Sequence, residues 1–244
     1  MKLQLRICFL AAVSNFIIMR KIILITLIGF VSFSVLAQKK SGKISYKIAN
    51  VDFVDKGTNA DVTATNDAAK KQFYQLNFNQ TIVNFFLPET LPRENGNDFH
   101  NTLAKIIVSK YDYYIDHPNK IILELSSDGT IIKKELIKLP WNITSEGKMI
   151  GQYQCYKATY TFEYLARNQK MKTRVITAWF APSLPYSYGP KDYYGLPGLI
   201  LELTEGDITF LVSKIELFDS EVEIKLPNGK RIDENTYLKK INNR

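Results

Sequence analysis

Few side chains in this 244-residue chain are equipped to make or break bonds. It holds two cysteines and two histidines. Cys8 lies in an apolar leader, which leaves Cys155 without a partner for an intramolecular disulfide. A thiol nucleophile needs a histidine base held beside it. His100 and His117 both fall in polar, turn-like stretches, and the strand neighbours of Cys155 are Lys157 and Thr159. Cys155 therefore reads as a small packing residue, and so few ligands do not make a structural zinc site. There is no Gly-x-Ser-x-Gly elbow, P-loop or Gly-x-Gly-x-x-Gly turn. Glu202 and Glu205 are the closest approach to a carboxylate pair, but they follow an apolar alternation and read as strand-edge charges. A glycosidase would rest on their presence alone. The expectation is a protein without catalytic residues, metal or cofactor, and not an enzyme.

Aromatic residues offer more. Tyr156, Ala158, Tyr160, Phe162 and Tyr164 alternate with Cys155, Lys157, Thr159, Thr161 and Glu163. Period two of this kind marks a half-buried strand with its rings on one side. A second apolar stretch, Thr173–Phe180, carries Trp179 and reads as its hairpin partner. A loop rich in Gly, Pro and Tyr follows, and Leu199, Leu201 and Leu203 then leave it as another strand. In that loop Tyr186, Tyr188, Tyr193 and Tyr194 bring rigid rings with a polar tip. Pro182, Pro185 and Pro190 stiffen it, Gly195 and Gly198 allow positive φ or close approach, and Pro197 suits a strand entrance. Such a loop is either a packed corner that fixes the register of the sheet or a contact surface for a ligand or partner.

The elements that must position these residues are strands. Alternation recurs at Ile44, Tyr46 and Ile48, at Tyr74, Leu76 and Phe78, and along Thr81–Leu87. It continues through Lys105–Ile115, Ile121–Leu125, Ile131–Leu139, Ile208–Leu217 and Val222–Leu226. Ser126-Ser-Asp-Gly129 is a hairpin turn, because Asp-Gly accepts the positive φ that tight turns need. Residues 55–69 and 92–101 read as polar loops, the first with a short helical turn at its end, and the tail to Arg244 as a short helix or a frayed end. About ten short strands with short connections predict a mainly β fold, a single antiparallel β-meander in a curved or partly closed, half-barrel-like or barrel-like sheet, with few short helices. A sheet this wide must curl or close to protect its edges.

The N-terminus carries an address. Met19-Arg20-Lys21 precedes the apolar run Ile22–Phe33, and Val35-Leu36-Ala37 suits signal peptidase. Residues 1–37 are accordingly a signal peptide, of which 1–18 read as an over-extended start ahead of Met19. The alternatives there are one long leader or a pair of apolar segments kept in the inner membrane. Residues 38–244 are then a single β domain in the periplasm or secreted, with no stable membrane span after cleavage. The chain has 32 basic and 24 acidic residues. Lys2, Arg6, Arg20 and Lys21 all lie in the acid-free leader, so the mature excess is too mild to imply nucleic acid.

The hexapeptide Gly195-Leu-Pro-Gly-Leu-Ile200 is distinctive in wording. It comes after Ile150-Gly151, Cys155-Tyr156-Lys157-Ala158, Ala178-Trp179-Phe180 and Tyr188-Gly189-Pro190, in that order. Together with Trp141-Asn-Ile-Thr144 these pieces resemble the GLPGLI family, secreted proteins typical of the Bacteroidetes, over about residues 140–204. The resemblance marks Gly189, Pro190, Gly195, Leu196, Pro197, Gly198, Leu199 and Ile200 as the family motif. It implies an exported β protein and carries no catalytic residue, because that family has no established activity.

Two functions fit these readings. The first is a non-enzymatic binding module that holds a hydrophobic ligand on a concave sheet face lined by Tyr156, Tyr160, Phe162, Trp179 and the Tyr186–Tyr194 loop. The alternative is an accessory protein of an outer-membrane receptor or export system that uses the aromatic loop as its contact. The leader yields a direct prediction: N-terminal sequencing of the exported protein starts at Gln38, and a mature chain starting upstream of Met19 would refute the assignment.

Overall fold

A computed structural model of the chain describes residues 39–51, 60–88, 99–165 and 170–242. The leader, with its expected cleavage site, lies outside the described residues, as do 52–59 and most of the 92–101 loop. Twelve strands form one sheet: β1 (Ser41–Val51), β2 (Phe73–Phe78), β3 (Ile82–Phe86), β4 (Tyr111–Asp116), β5 (Ile121–Ser126), β6 (Ile131–Glu135), β7 (Asn142–Ile150), β8 (Tyr153–Leu165), β9 (Met171–Ala181), β10 (Leu199–Glu205), β11 (Ile208–Phe218) and β12 (Arg231–Asp233). Among the described residues three short helices accompany them: α1 (Ala60–Lys70), α2 (Phe99–Val108) and α3 (Glu234–Asn242). The order across the sheet is β12-β6-β5-β4-β3-β2-β1-β11-β10-β9-β8-β7. Every pairing is antiparallel except β12 against β6. The fold is mainly β and largely antiparallel, as the alternation implies. It is not closed into a barrel, since β12 and β7 remain as edges.

One connection dictates the curvature. β6 and β7 are joined by residues 136–141 but stand ten places apart in the sheet. Laid flat at about 4.8 Å per strand, they would be about 48 Å apart. Seven residue steps reach at most about 25 Å. The sheet must therefore roll toward itself. Ten successive antiparallel pairings also leave β6 and β7 pointing the same way, so this strap runs back along the strands as it crosses. It is held along its length. The Leu136 N–H donates to the Lys120 carbonyl at 3.0 Å, and Leu136, Leu139 and Trp141 pack on the core.

The rolled sheet has an inner face built from alternate residues. Ile44, Tyr46 and Ile48 of β1 point inward with Tyr74, Leu76 and Phe78 of β2, Phe85 of β3 and Phe210 of β11, all buried. Tyr74 stacks on Phe85 at 5.5 Å between centroids, and Phe210 meets both edge-on. A smaller cluster, Ile121, Leu123 and Ile131, sits on the outer face under Leu226. The Asp128-Gly129 turn joins β5 to β6 with Gly129 at φ +79°, as its sequence predicts.

Three readings are corrected. The stretch 105–108 ends helix α2 rather than starting a strand. Its buried residues, Ala104 and Val108, lie four apart, and the Ser109 N–H closes the last turn onto the Lys105 carbonyl at 2.8 Å. A short apolar run carries no period long enough to separate helix from strand. His100 thus lies on a helix, where its ring meets the Thr65 hydroxyl at 3.2 Å. The segment 222–226 is not a strand: the Val222 carbonyl accepts the Asn79 side-chain amide at 2.9 Å instead of a ladder partner. Residues 60–70 form three turns of helix, held by the small buried residues Thr65, Ala68 and Ala69, where the sequence suggests a loop with only a short helical turn at its end. The tail folds as α3, capped by Asp233, whose carboxylate accepts the Thr236 N–H at 2.8 Å.

The Gly195–Ile200 corner depends on its second glycine. Gly198 has φ +156°, and a Cβ there would lie 2.6 Å from the Ala181 carbonyl carbon and 2.9 Å from the Pro182 nitrogen. Gly195 has φ +89° but open space around the missing Cβ. Gly198→Ala should therefore cost about 3 kcal/mol or more, from strain plus a backbone clash. Gly195→Ala should cost only the strain, about 1–2 kcal/mol. Urea denaturation of the two variants checks the order, and equal losses would contradict it.

Candidate functional site

The loop 182–198 does not project outward; it folds into the mouth of the rolled sheet. Tyr188 and Tyr194 form a bridge of their own. The Ile200 N–H donates to the Tyr188 carbonyl and the Leu199 N–H to the Leu184 carbonyl, both at 2.9 Å. Gly189 is required here as well, because a Cβ would lie 2.6 Å from the Ile200 side chain. Leu184, Tyr186, Tyr193, Tyr194 and Leu196 are buried, and Tyr188 is half-buried. Phe78 receives Tyr186 at 4.6 Å and Tyr188 at 5.4 Å between centroids. The Tyr46 hydroxyl donates to the Ile200 carbonyl at 2.6 Å. Two bonds tie the loop to the strap: the Trp141 indole N–H to the Tyr194 carbonyl at 2.8 Å, and the Tyr194 hydroxyl to the Ile137 carbonyl. On the side of β1, β2 and β11 the concave face is thus filled by the protein's own side chains.

The far side is more open. The β8–β9 register pairs Tyr156 with Phe180, Ala158 with Ala178, Tyr160 with Ile176 and Phe162 with Arg174. Ala178 and Ile176 in turn oppose Leu203 and Glu205. Tyr156, Tyr160, Phe162 and Tyr164 therefore share the inner face. None is fully buried, and Tyr156 is 37% exposed. Tyr160 stacks on Phe162 at 5.4 Å, with Trp141 edge-on to Tyr160 at 5.8 Å. Trp179 is separate from this row. It opposes Lys157 and Glu202 on the outer face, with the Lys148 ammonium 4.3 Å above its ring. Cys155 is buried, and burial pushes its thiol up to about 11, which keeps it protonated and unreactive.

Between the filled and open halves runs a seam of ionisable groups absent from the sequence reading as a site. The Lys191 ammonium meets Glu205 at 2.6 Å, and Arg174 meets the other oxygen of the same carboxylate at 3.2 Å. Their side chains are 11%, 14% and 39% exposed for Lys191, Glu205 and Arg174. Arg174 also lies over the Tyr164 ring, 4.7 Å from its centroid. Across the interior Lys134 pairs with Glu124 at 2.5 Å and with Glu234 of α3 at 3.4 Å. Asp192, next to Lys191, feels Lys134 as well. Environment drives the carboxylates apart. Burial pushes Asp192 up, and the nearby lysines recover only part of that. Glu124 is likewise raised by burial, against the pull of Lys134. For Glu205 burial acts the same way, but Lys191 and Arg174 outweigh it and hold the carboxyl below its ordinary range. Burial, reinforced by Glu205 and Asp192, keeps Tyr193 protonated. Unlike carboxylates side by side are what acid–base sites use, and what a buried structural network looks like as well.

Parity holds a clue to this seam. Glu124 falls two residues after Ile122, Arg174 two before Ile176 and Glu205 two after Leu203, each at the charged end of an apolar face. Nothing local signals that Lys191 and Asp192 enter from the loop.

A family model described as "Protein of unknown function (Porph_ging)" matches residues 164–202. That stretch includes Tyr164, Arg174, Lys191 and most of β10. No curated protein matches the chain. The solved structure of PNGF-II in the C2 space group resembles it with a TM-score of 0.50 at 14% identity, over 83% of this chain and 32% of that one. The form in the P21 space group gives 0.48 at 15%, over 82% and 32%. The chain spans about a third of those proteins, and at this identity the likeness is one of fold.

The seam makes stability depend on pH in two opposite ways. Glu205 has a depressed carboxyl, so its contribution is present above the ordinary glutamate range and is lost as pH falls through the folded value. Glu205→Gln should cost about 3 kcal/mol at neutral pH, by stranding the buried Lys191 ammonium and unpairing the partly exposed Arg174, and progressively less in acid. Asp192 has a raised carboxyl, so its charge opposes folding once pH exceeds the ordinary aspartate range. Asp192→Asn should stabilise at neutral pH and be silent in acid. Denaturant midpoints at pH values either side of 4 test both signs.

Proposed function

We propose that this is an exported, non-enzymatic binding module of the GLPGLI type, resident in the periplasm or secreted, that holds a hydrophobic ligand on the concave face of its sheet. One observation carries the reading. A chain that buries Tyr46, Tyr74, Phe78, Phe85 and Phe210 on this face leaves the row Tyr156, Tyr160, Phe162 and Tyr164 partly open. Removing such rings from water supplies about 25 cal/mol per Å² before ordering costs. The expected lining is thereby narrowed to β8. Trp179 belongs to the outer face, and the loop tyrosines serve as the floor that fills the other half. The same inward turn of Tyr186, Tyr193 and Tyr194 leaves an accessory protein of an outer-membrane receptor or export system, docking through that loop, with less support. The motif residues Gly189, Gly195 and Gly198 then act as a corner that holds the loop in the mouth.

Native mass spectrometry of protein recovered from cell envelopes should show a co-purifying apolar molecule. Phe162→Ala should lower occupancy at least about tenfold, while Trp179→Phe, on the outer face, leaves it unchanged. A bare protein with no adduct, or equal loss in both variants, would remove the reading.

A further inference from the structure

The partly open row has two unlike ends. At one end Tyr156 neighbours Phe180, 6.4 Å between centroids. At the other, cations gather. The β8–β9 register sets Lys172 opposite Tyr164 and Arg174 opposite Phe162, so alternation puts both on the face that carries the rings. Lys191 joins them from the loop through Glu205. Among the described residues Glu205 is the one carboxylate bonded to this group, and Lys191 and Arg174 already share it. Asp192 draws on Lys134 and on Lys191, and Glu124 pairs with Lys134, so Lys191 is committed to Glu205 and Asp192. Glu163 opposes Thr173, outside the alternation that carries Arg174. Among the described residues, Lys172 and the open side of Arg174 are what leave the end of the row near Tyr164 positive.

Arg174 is prepared for an anion. Tyr164 braces its guanidinium plane from one face. Among the described residues its fork gives one N–H to Glu205 at 3.2 Å and one, weakly, to the Tyr164 hydroxyl at 3.4 Å. A guanidinium carries five donors in a planar array suited to carboxylates. With the side chain 39% exposed, donors remain available from the open side. Lys172 is exposed beside it.

We propose that the row takes an anionic amphiphile, its apolar body along Tyr156, Tyr160 and Phe162 and its carboxylate on Arg174 and Lys172. The proposal rests on the binding-module reading above and specifies its ligand class. From Tyr156 to Phe162 the strand offers about 20 Å of ring-lined path, and the carboxylate would meet charge-assisted bonds where that path ends.

Calorimetry with the full chain at neutral pH separates the two ideas, using dodecanoate and dodecan-1-ol, each below its aggregation threshold. Dodecanoate should bind about tenfold or more tighter than the alcohol, and added salt should weaken only the acid. In Arg174→Met, dodecanoate should fall to the wild-type affinity for dodecanol, while Arg174→Lys keeps part of the preference. Should the methionine variant not fold, Lys172→Met, on an exposed side chain, should reduce the preference severalfold. Equal binding of acid and alcohol by the wild type overturns the anionic class and leaves the module standing. A preference that survives Arg174→Met and Lys172→Met together overturns the assigned head site. Binding of neither probe overturns the module reading and the inference with it.

Discussion

A short strap between distant strands constrains everything else in the molecule. Residues 136–141 join strands ten places apart, so a sheet that could lie open is obliged to roll. Rolling creates an inner face, and an inner face must be filled or left to bind. The protein fills half of it with the loop 182–198 and the large rings of β1, β2, β3 and β11. The strap and the loop are then mutually dependent: Trp141 holds the Tyr194 carbonyl, and Tyr194 reaches back to Ile137. Loosening either would free the curvature and empty the mouth together.

Charge decides where the loop sits. Apolar packing alone tolerates small shifts, because burial has no direction. The Lys191–Glu205 pair at 2.6 Å, shared with Arg174, does not tolerate them. A displacement of the loop would strand a cation on one side and a carboxylate on the other. Such pairs add little net stability over a well-packed apolar substitute, but breaking one is costly. The seam across Glu124, Lys134, Asp192, Lys191, Glu205 and Arg174 therefore works as a selector of register. It also divides the concave face into a dry part and a part that meets solvent.

Much of this was legible in the sequence, with limits set by distance along the chain. Period two located the strands and gave the right side to Tyr156, Tyr160 and Phe162, because pleat geometry is local. The Asp128-Gly129 turn was readable for the same reason. Alternation alone also separates Trp179 from Phe180, and treating the two strands as one lining hid it. The α2 helix was missed because four or five apolar residues fit both periods. The seam could not be read as a cluster, since its members span positions 124 to 205 and meet only after the sheet rolls. The strap is similarly silent: Leu136–Trp141 reads as an ordinary connection until the strand order is known.

An open aromatic row also demands an open flank, and the two edges of the sheet are guarded unequally. At one edge β12 is only three residues long and runs directly into α3. That helix is fastened by Tyr237 to the Tyr111 hydroxyl at 3.0 Å, and so short a strand offers little template for another chain. At the other edge β7 is nine residues long and largely exposed. Its ladder to β8 breaks register between Ile143 and Gly147, and Glu146 and Lys148 flank that glycine with charges engaged by Lys157 and Glu202. An irregular, charged edge resists pairing with a second strand. β7 can then remain uncovered beside β8 without inviting a neighbouring sheet, and that leaves the ring-bearing face next to it accessible to something smaller.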